Sequence, residues 1–187
     1  MTPRKRKLFI DMDGILVDIY TNWLERYNND HDTKLTVHDI TDYDISKITG
    51  PSMYNYLAEP GFFIDLDPLP GAVEAFKAIQ ESNKYDTYIV STPAYGDSAS
   101  DKIAWCKEHL GLSKNRVILM AQKDMLYQTV ESILIDDKPD NLRRWTGRTL
   151  SIKWPYNKDM AYDGYFLAND YRDTENAWRQ LLGKLGV

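Results

Sequence analysis

The sequence predicts an α/β fold, a doubly wound parallel sheet with a small, mainly helical cap inserted after the first strand. Three observations predict it. Apolar runs of strand length alternate with segments of helical period, the pattern of a parallel sheet with helices on its faces. The first and fourth of these runs each end in two aspartates. Between the first helix and Pro70 the alternation fails for too long to be an ordinary connection, which marks a functional insert.

The run "KLFID" from Lys7 is the first strand. "VDIYTNWLERYNND" places Ile19, Trp23 and Tyr27 on one helical face, where the aromatics read as packing. Residues 20–67 then form the cap, rich in Tyr, Phe and Pro, and residues 1–19 and 68–187 form the core. After Pro70, a good place for a helix to start, "GAVEAFKAIQ" sets Ala72, Phe76 and Ile79 on one face. "YDTYIVSTP" is the second strand, "SDKIAWCKEHLG" a helix stopped by Gly111, "NRVILMA" the third strand and "ESILIDD" the fourth. "RTLSIKW" supplies a fifth, and "TENAWRQLLGKLG" closes the chain as an amphipathic helix.

The 187 residues suit one domain with an insertion. A formal net charge of −5 argues against a general binder of DNA or RNA, whose footprint is clustered Lys and Arg. The one basic cluster, Arg4 to Lys7, reads as a solvated tail. Its apolar sequel, Leu8-Phe9-Ile10, is far too short for a signal peptide, and no stretch approaches a membrane span. Cys106 is alone, so no intramolecular disulfide forms; that fits a reducing compartment, and the expectation is a cytoplasmic protein with no membrane partner. Cys106 itself reads as structural. His31, His38 and His109 lack metal-ligand spacing and read as surface polar residues.

In an open parallel sheet, ligands bind outside the carboxyl ends of the strands. This reading puts Asp11 and Asp13, Ser91 and Thr92, and Asp136 and Asp137 there. So many carboxylates near one point repel unless neutralised, and a hard divalent cation with oxygen ligands, Mg²⁺ above all, resolves the conflict. Two hydroxyls beside it point to a phosphoryl group, with Lys102 and Lys123 supplying positive charge. The chemistry is phosphoryl transfer, in which one aspartate attacks phosphorus while its neighbour moves a proton to the leaving oxygen. Gly14 serves the bend of the chain.

"DMDGILVD" resembles the first motif of the haloacid dehalogenase superfamily of phosphatases, and "STP", Lys123 and "LIDD" fall in order as the other three. "EPGFFIDLDPLPGA", "KIAWCKEHLG" and "ILIDDKPDN" are similar to segments of the 5'(3')-deoxyribonucleotidases within it, over Lys7 to about Asn141. The resemblance implies a Rossmann-like core of the haloacid dehalogenase type and hydrolysis of (deoxy)nucleoside monophosphates. It implies Asp11 as nucleophile, Asp13 as general acid and base, and Mg²⁺ held by Asp11, the main-chain carbonyl of Asp13, and Asp136, Asp137 or both. Ser91, with Thr92 beside it, Lys102 and Lys123 correspond to phosphate contacts. "STP" reverses the hydroxyl order of the animal "TSP".

The adjacent Phe62 and Phe63, read as extended chain, face opposite ways: one enters the core and the other offers a face to a base. The resemblance favours Phe63. The partner this calls for is a small-molecule nucleotide and no polymeric nucleic acid, with a homodimer left open. Two rivals remain: a phosphatase of the same superfamily acting on another small phosphomonoester, and a catalytically silent nucleotide-binding module. A dehalogenase has no leaving alcohol to protonate and hence no use for Asp13.

Overall fold

The computed structural model describes residues 5–161, 163–167 and 170–187. Its strands are β1 (Arg6–Ile10), β2 (Tyr85–Ser91), β3 (Val117–Leu119), β4 (Ile133–Ile135), β5 (Arg148–Ile152) and β6 (Tyr165–Leu167). They form one sheet in the order β3-β2-β1-β4-β5-β6, and every pairing is parallel. The chain runs outward from β1 to β2 and β3, then returns to β1's other side for β4 to β6. The reversal leaves a crevice at the carboxyl ends of β1 and β4, where both aspartate pairs emerge. β6 extends the five strands expected from sequence. Arg6 and Lys7 belong to β1, which corrects the solvated-tail reading; Arg4 lies outside the described residues.

The helices are α1 (Ile19–His31), α2 (Ser46–Thr49), α3 (Ala72–Ser82), α4 (Ser98–Leu110), α5 (Pro139–Arg144) and α6 (Thr174–Leu185). Asp18 caps α1 by accepting from the Thr21 amide at 3.1 Å. α4 ends at Gly111, whose φ of 66° few residues with a Cβ adopt. Pro139 opens α5 at its first turn, where a missing N–H costs nothing, so the second aspartate pair leads into a helix.

Because alternate strand residues face opposite sides, β1 splits its apolar residues between two cores. Leu8 and Ile10 join the large core with α3, α4 and α6, while Phe9 packs with Val90, Leu134 and Trp145 on the other face. Cys106 is buried in the large core, and burial pushes its thiol up to about 12, so it stays a neutral packing group.

The segment after β1 is helical, as expected, but much of it is 3₁₀: turns at Val37–Asp39 and Pro51–Ala58 flank α2. Its two ends run side by side, with Asp18 N–H donating to Asp67 O at 3.0 Å and Leu69 N–H to Leu16 O at 2.8 Å. Trp23 ties it together by donating to Met53 O at 2.8 Å, as does Tyr27 to Thr49 O at 3.0 Å. Trp105 on α4 donates to Leu66 O at 2.8 Å and anchors the far end to the core. Among the described residues no helix is long and apolar enough to cross a membrane.

Candidate active site

Carboxylate oxygens of Asp11, Asp136 and Asp137 come within 4.8 Å of one another, and all three residues are buried. Strand pairing enforces this. β1 and β4 are neighbours, and Asp11 N–H continues their ladder by donating to Ile135 O at 2.8 Å. Lys123, in a short 3₁₀ turn after β3, reaches in and pairs with Asp11 at 2.9 Å and Asp136 at 2.7 Å. Asp136 also accepts from the Lys138 amide at 2.8 Å and from the Asn141 side chain at 3.0 Å.

Burial pushes the Asp136 carboxyl up to about 6 despite Lys123, and burial together with Asp11 and Asp136 holds Asp137 well above the usual carboxylate range. Burial would lower the Lys123 ammonium, yet Asp11 and Asp136 outweigh it and raise its pKa. With all three ionised, the carboxylates would leave two negative charges uncompensated by the one ammonium in a buried place, which is why burial and mutual repulsion raise the carboxyls of Asp136 and Asp137. A hard divalent cation supplies the missing charge and accepts oxygen donors of this kind, so the residues fit one.

Asp13 lies beside this cluster with a separate cation. Lys102, fully buried on α4, pairs with Asp13 Oδ2 at 2.5 Å and donates to the Ser91 hydroxyl and the Thr92 carbonyl, each at 2.8 Å. The Asp13 carboxyl is raised by burial, with Lys102 opposing. Among the described residues its Oδ1 has no hydrogen-bond partner, a costly state for a buried oxygen unless a ligand completes it. The Thr92 hydroxyl lies outward, 3.4 Å from the Met120 carbonyl.

A cavity of about 180 Å³ adjoins these groups, with Asp13, Asp137 and Thr92 in its wall. The opposite side comes from α1 and the chain that follows it: Ile19, Tyr20 and Trp23, then Tyr43, Tyr54, Leu57 and Phe63. Phe63 therefore faces the cavity, its ring 4.4 Å from the Lys102 ammonium. Phe62 is not in that wall; it is fully buried beneath the Arg26 guanidinium, 4.9 Å from its ring. The two rings do not diverge as in an extended segment. They sit in a turn and meet edge to face at 5.0 Å. Trp23, read as packing, both packs and lines the cavity. Tyr27 packs only, with His31 stacked on it; His38 lies edge-on to Tyr171 and His109 stacks on Trp105, all away from the carboxylates.

Several residues escaped the reading of the sequence. The Tyr156 hydroxyl donates to Asp137 Oδ2, and the Tyr20 hydroxyl lies 3.3 Å from the same oxygen and 3.0 Å from Tyr156 Oη. Asn157 donates to Asp137 O at 3.0 Å, and Trp154 to Gly14 O at 2.9 Å. A usable signal was present: "WPYN" follows the fifth strand, so it emerges at the same sheet edge as the aspartates. Gly14 has φ +70°, and a Cβ there would lie 2.5 Å from Asp137 Oδ2. Gly14→Ala is expected to lower divalent-cation affinity and turnover together by about tenfold or more, because Asp137 must move. Calorimetric cation titration beside an activity assay checks this; unchanged cation affinity would count against it.

A sequence model of the family described as "5' nucleotidase, deoxy (Pyrimidine), cytosolic type C protein" matches residues 5–179. The chain belongs to this family. The nucleotidase is thus a phosphoric monoester hydrolase. It is 32% identical over 159 residues to the 5'(3')-deoxyribonucleotidase of Clostridium acetobutylicum, covering 82% of this chain and 85% of that relative. With the cytosolic-type 5'(3')-deoxyribonucleotidase of Homo sapiens it shares 26% identity over 147 residues, 72% of each chain. Among solved structures, the nucleotidase shares its fold with the HAD-hydrolase YfnB of Bacillus subtilis, solved bound to magnesium, at TM-score 0.58 and 15% identity, covering 98% of this chain and 100% of that one. A haloacid dehalogenase-like hydrolase from Burkholderia xenovorans gives TM-score 0.54 at 16% identity, covering 95% and 99%.

Proposed function

We propose that this nucleotidase is a Mg²⁺-dependent phosphatase of (deoxy)nucleoside monophosphates, of the 5'(3')-deoxyribonucleotidase kind, working through an aspartyl-phosphate on Asp11. The observation that carries the proposal is the uncompensated carboxylate cluster set against a cavity walled by aromatic rings. Asp11, Asp136 and Asp137 would hold the cation, which would offset the charge that carboxylates and phosphate bring together.

In the first step an Asp11 oxygen attacks phosphorus and the bond to the nucleoside oxygen breaks. That oxygen takes a proton from Asp13, whose Oδ1 is unpartnered among the described residues and whose carboxyl is raised by burial. In the second step water attacks the aspartyl-phosphate, gives its proton to Asp13, and restores the Asp11 carboxylate with release of phosphate. Lys102 and Lys123, with Ser91 and Thr92, would contact phosphate oxygens; the contacts of Lys102 with Ser91 and of Lys123 with Asp11 support this reading. Residues 20–67 act as the cap: they cover the sheet edge, exclude water and supply the base pocket. The buried lone Cys106 supports a cytoplasmic location.

Phosphate release from 5'- and 3'-monophosphates, deoxy and ribo, beside a sugar phosphate and an aryl phosphate, each with Mg²⁺ or chelator, tests the proposal. Chelator-sensitive turnover favouring deoxynucleotides is expected. Turnover confined to the sugar or aryl ester would keep the chemistry and reject the substrate; no turnover would point to a binding module.

The base pocket has its own test. Phe63 is buried, so truncation to Ala would cost about 3–5 kcal/mol of stability and blur the result. Phe63→Leu leaves a smaller void than Ala and removes the flat face. It is expected to raise KM for nucleotides about tenfold, in line with the ~1–3 kcal/mol of a base–aromatic stack, and to leave KM for a small phosphoester with no ring to stack nearly unchanged. Equal changes on both would reject stacking.

A further inference from the structure

Among the described residues, no ion pair reaches Asp137, whereas Lys123 serves both Asp11 and Asp136. Asp137 is held instead by neutral groups. Its Oδ2 is met by the Tyr156 and Tyr20 hydroxyls, a Cβ at position 14 would collide with it, and its main-chain carbonyl is fixed by Asn157. The hydroxyls come from distant parts of the chain: Tyr20 opens α1 in the inserted segment, and Tyr156 lies in the loop after β5. Both rings rest on Trp154, at 5.1 Å and 6.3 Å between centroids, and its indole holds the Gly14 carbonyl.

We propose that Tyr20 and Tyr156 are positioning residues for divalent-cation binding. Together they tie up Oδ2 of Asp137 and turn the rest of that carboxylate toward Asp11 and Asp136. The consequence reaches beyond the carboxylates: cation affinity depends on where the inserted segment sits, because one of the two hydroxyls travels with it. Neutral donors suit this task. They orient the carboxylate and leave its negative charge for the cation, where a third lysine would cancel it.

The geometry also predicts how the pair responds to substitution. A hydroxyl carries one proton. Tyr156 gives its proton to Asp137, and Tyr20, within reach of both acceptors, can give its own to Asp137 or to Tyr156. Each hydroxyl can therefore stand in for the other. Tyr20→Phe and Tyr156→Phe are each expected to weaken cation binding only a few-fold, with Tyr156→Phe the larger. The double variant is expected to lose about 10–100-fold, the range for removing partners that orient a metal ligand, and more than the two single losses multiplied together.

This inference rests on the proposed metal site, so the experiment reads the metal without substrate. Mg²⁺ and Mn²⁺ are titrated calorimetrically into the metal-stripped full chain, wild type and three variants, beside its metal-free melting temperature. Expected are the stepped, more-than-multiplicative loss of affinity and, because the double variant leaves the buried Asp137 Oδ2 without a hydroxyl donor, a lower metal-free melting temperature in that variant than in either single one. A wild type that binds neither cation would sink the metal site itself. A wild type that binds, with a double variant that binds equally well, would overturn the positioning role alone. Single losses of affinity that simply multiply to the double one would also overturn it, as independent damage to packing around Trp154.

Discussion

Asparagine in place of Asp11 is expected to abolish turnover, by about 10³-fold or more, while the protein folds as well as before. The amide is nearly isosteric but has no anionic oxygen to attack phosphorus, so the first covalent step is lost outright. Stability moves differently. Asp11 is one of three buried carboxylates sharing one ammonium, and removing its charge reduces the repulsion among them. The metal-free melting temperature of Asp11→Asn should therefore equal or exceed that of wild type. Single-turnover assays with a nucleoside monophosphate and thermal denaturation in chelator read the two effects separately. Substantial residual hydrolysis in a clean preparation would refute Asp11 as nucleophile.

Lys123→Met should do the reverse and damage both stability and activity. The side chain is 1% exposed and its ammonium touches two buried carboxylates, so its loss leaves those charges unpaired. Breaking a buried pair from one side typically costs about 3–5 kcal/mol. The deficit should depend on pH in a defined direction. Asp136 and Asp137 already have raised carboxyls in the folded protein, so the folded state binds protons more tightly than the unfolded chain. Stability then falls as pH rises through the folded-state values and is regained as pH falls toward the unfolded range. Denaturant melts of metal-stripped variant and wild type at pH 5 and pH 8 check this: the gap between them should be smaller at pH 5. A gap that widens on acidification would contradict the placement of Lys123 among ionised carboxylates.

The two predictions turn on residues of different legibility. Asp11 could be read from the chain because a carboxylate that ends an apolar strand is anomalous wherever it occurs, and a second pair after a later strand doubles the anomaly. Lys123 could not be read that way. Lysines are common and mostly solvated, and a place after the third strand together with likeness to a family marked this one; burial by a 3₁₀ turn against β1 and β4 is a tertiary fact. Lys102 is the same case, one helical lysine among many until its ammonium is seen against Asp13, Ser91 and the Phe63 ring.

The aromatic residues show where local pattern misleads. Trp23 at helical spacing looked like packing and is packing, yet it also walls the cavity, because one face of α1 meets both. Phe62 and Phe63 were placed on opposite sides by assuming an extended chain. The Pro-Gly turn before them folds the segment so that one ring faces the cavity and the other the core without alternation.

By itself the sequence determined the α/β class, the strands that carry the carboxylates and the phosphoryl chemistry. Each depends on periodicity or on residues close together in the chain. Tertiary structure alone decided that Lys123 rather than solvent neutralises Asp11 and Asp136, and that Tyr20 and Tyr156 meet on Asp137. The physical reason is separation: Tyr20 and Tyr156 are 136 positions apart, and nothing local to either fixes the other's place. Hydrogen bonds between such residues exist only once the sheet has brought the end of β1 beside β4 and carried β5 to the same edge.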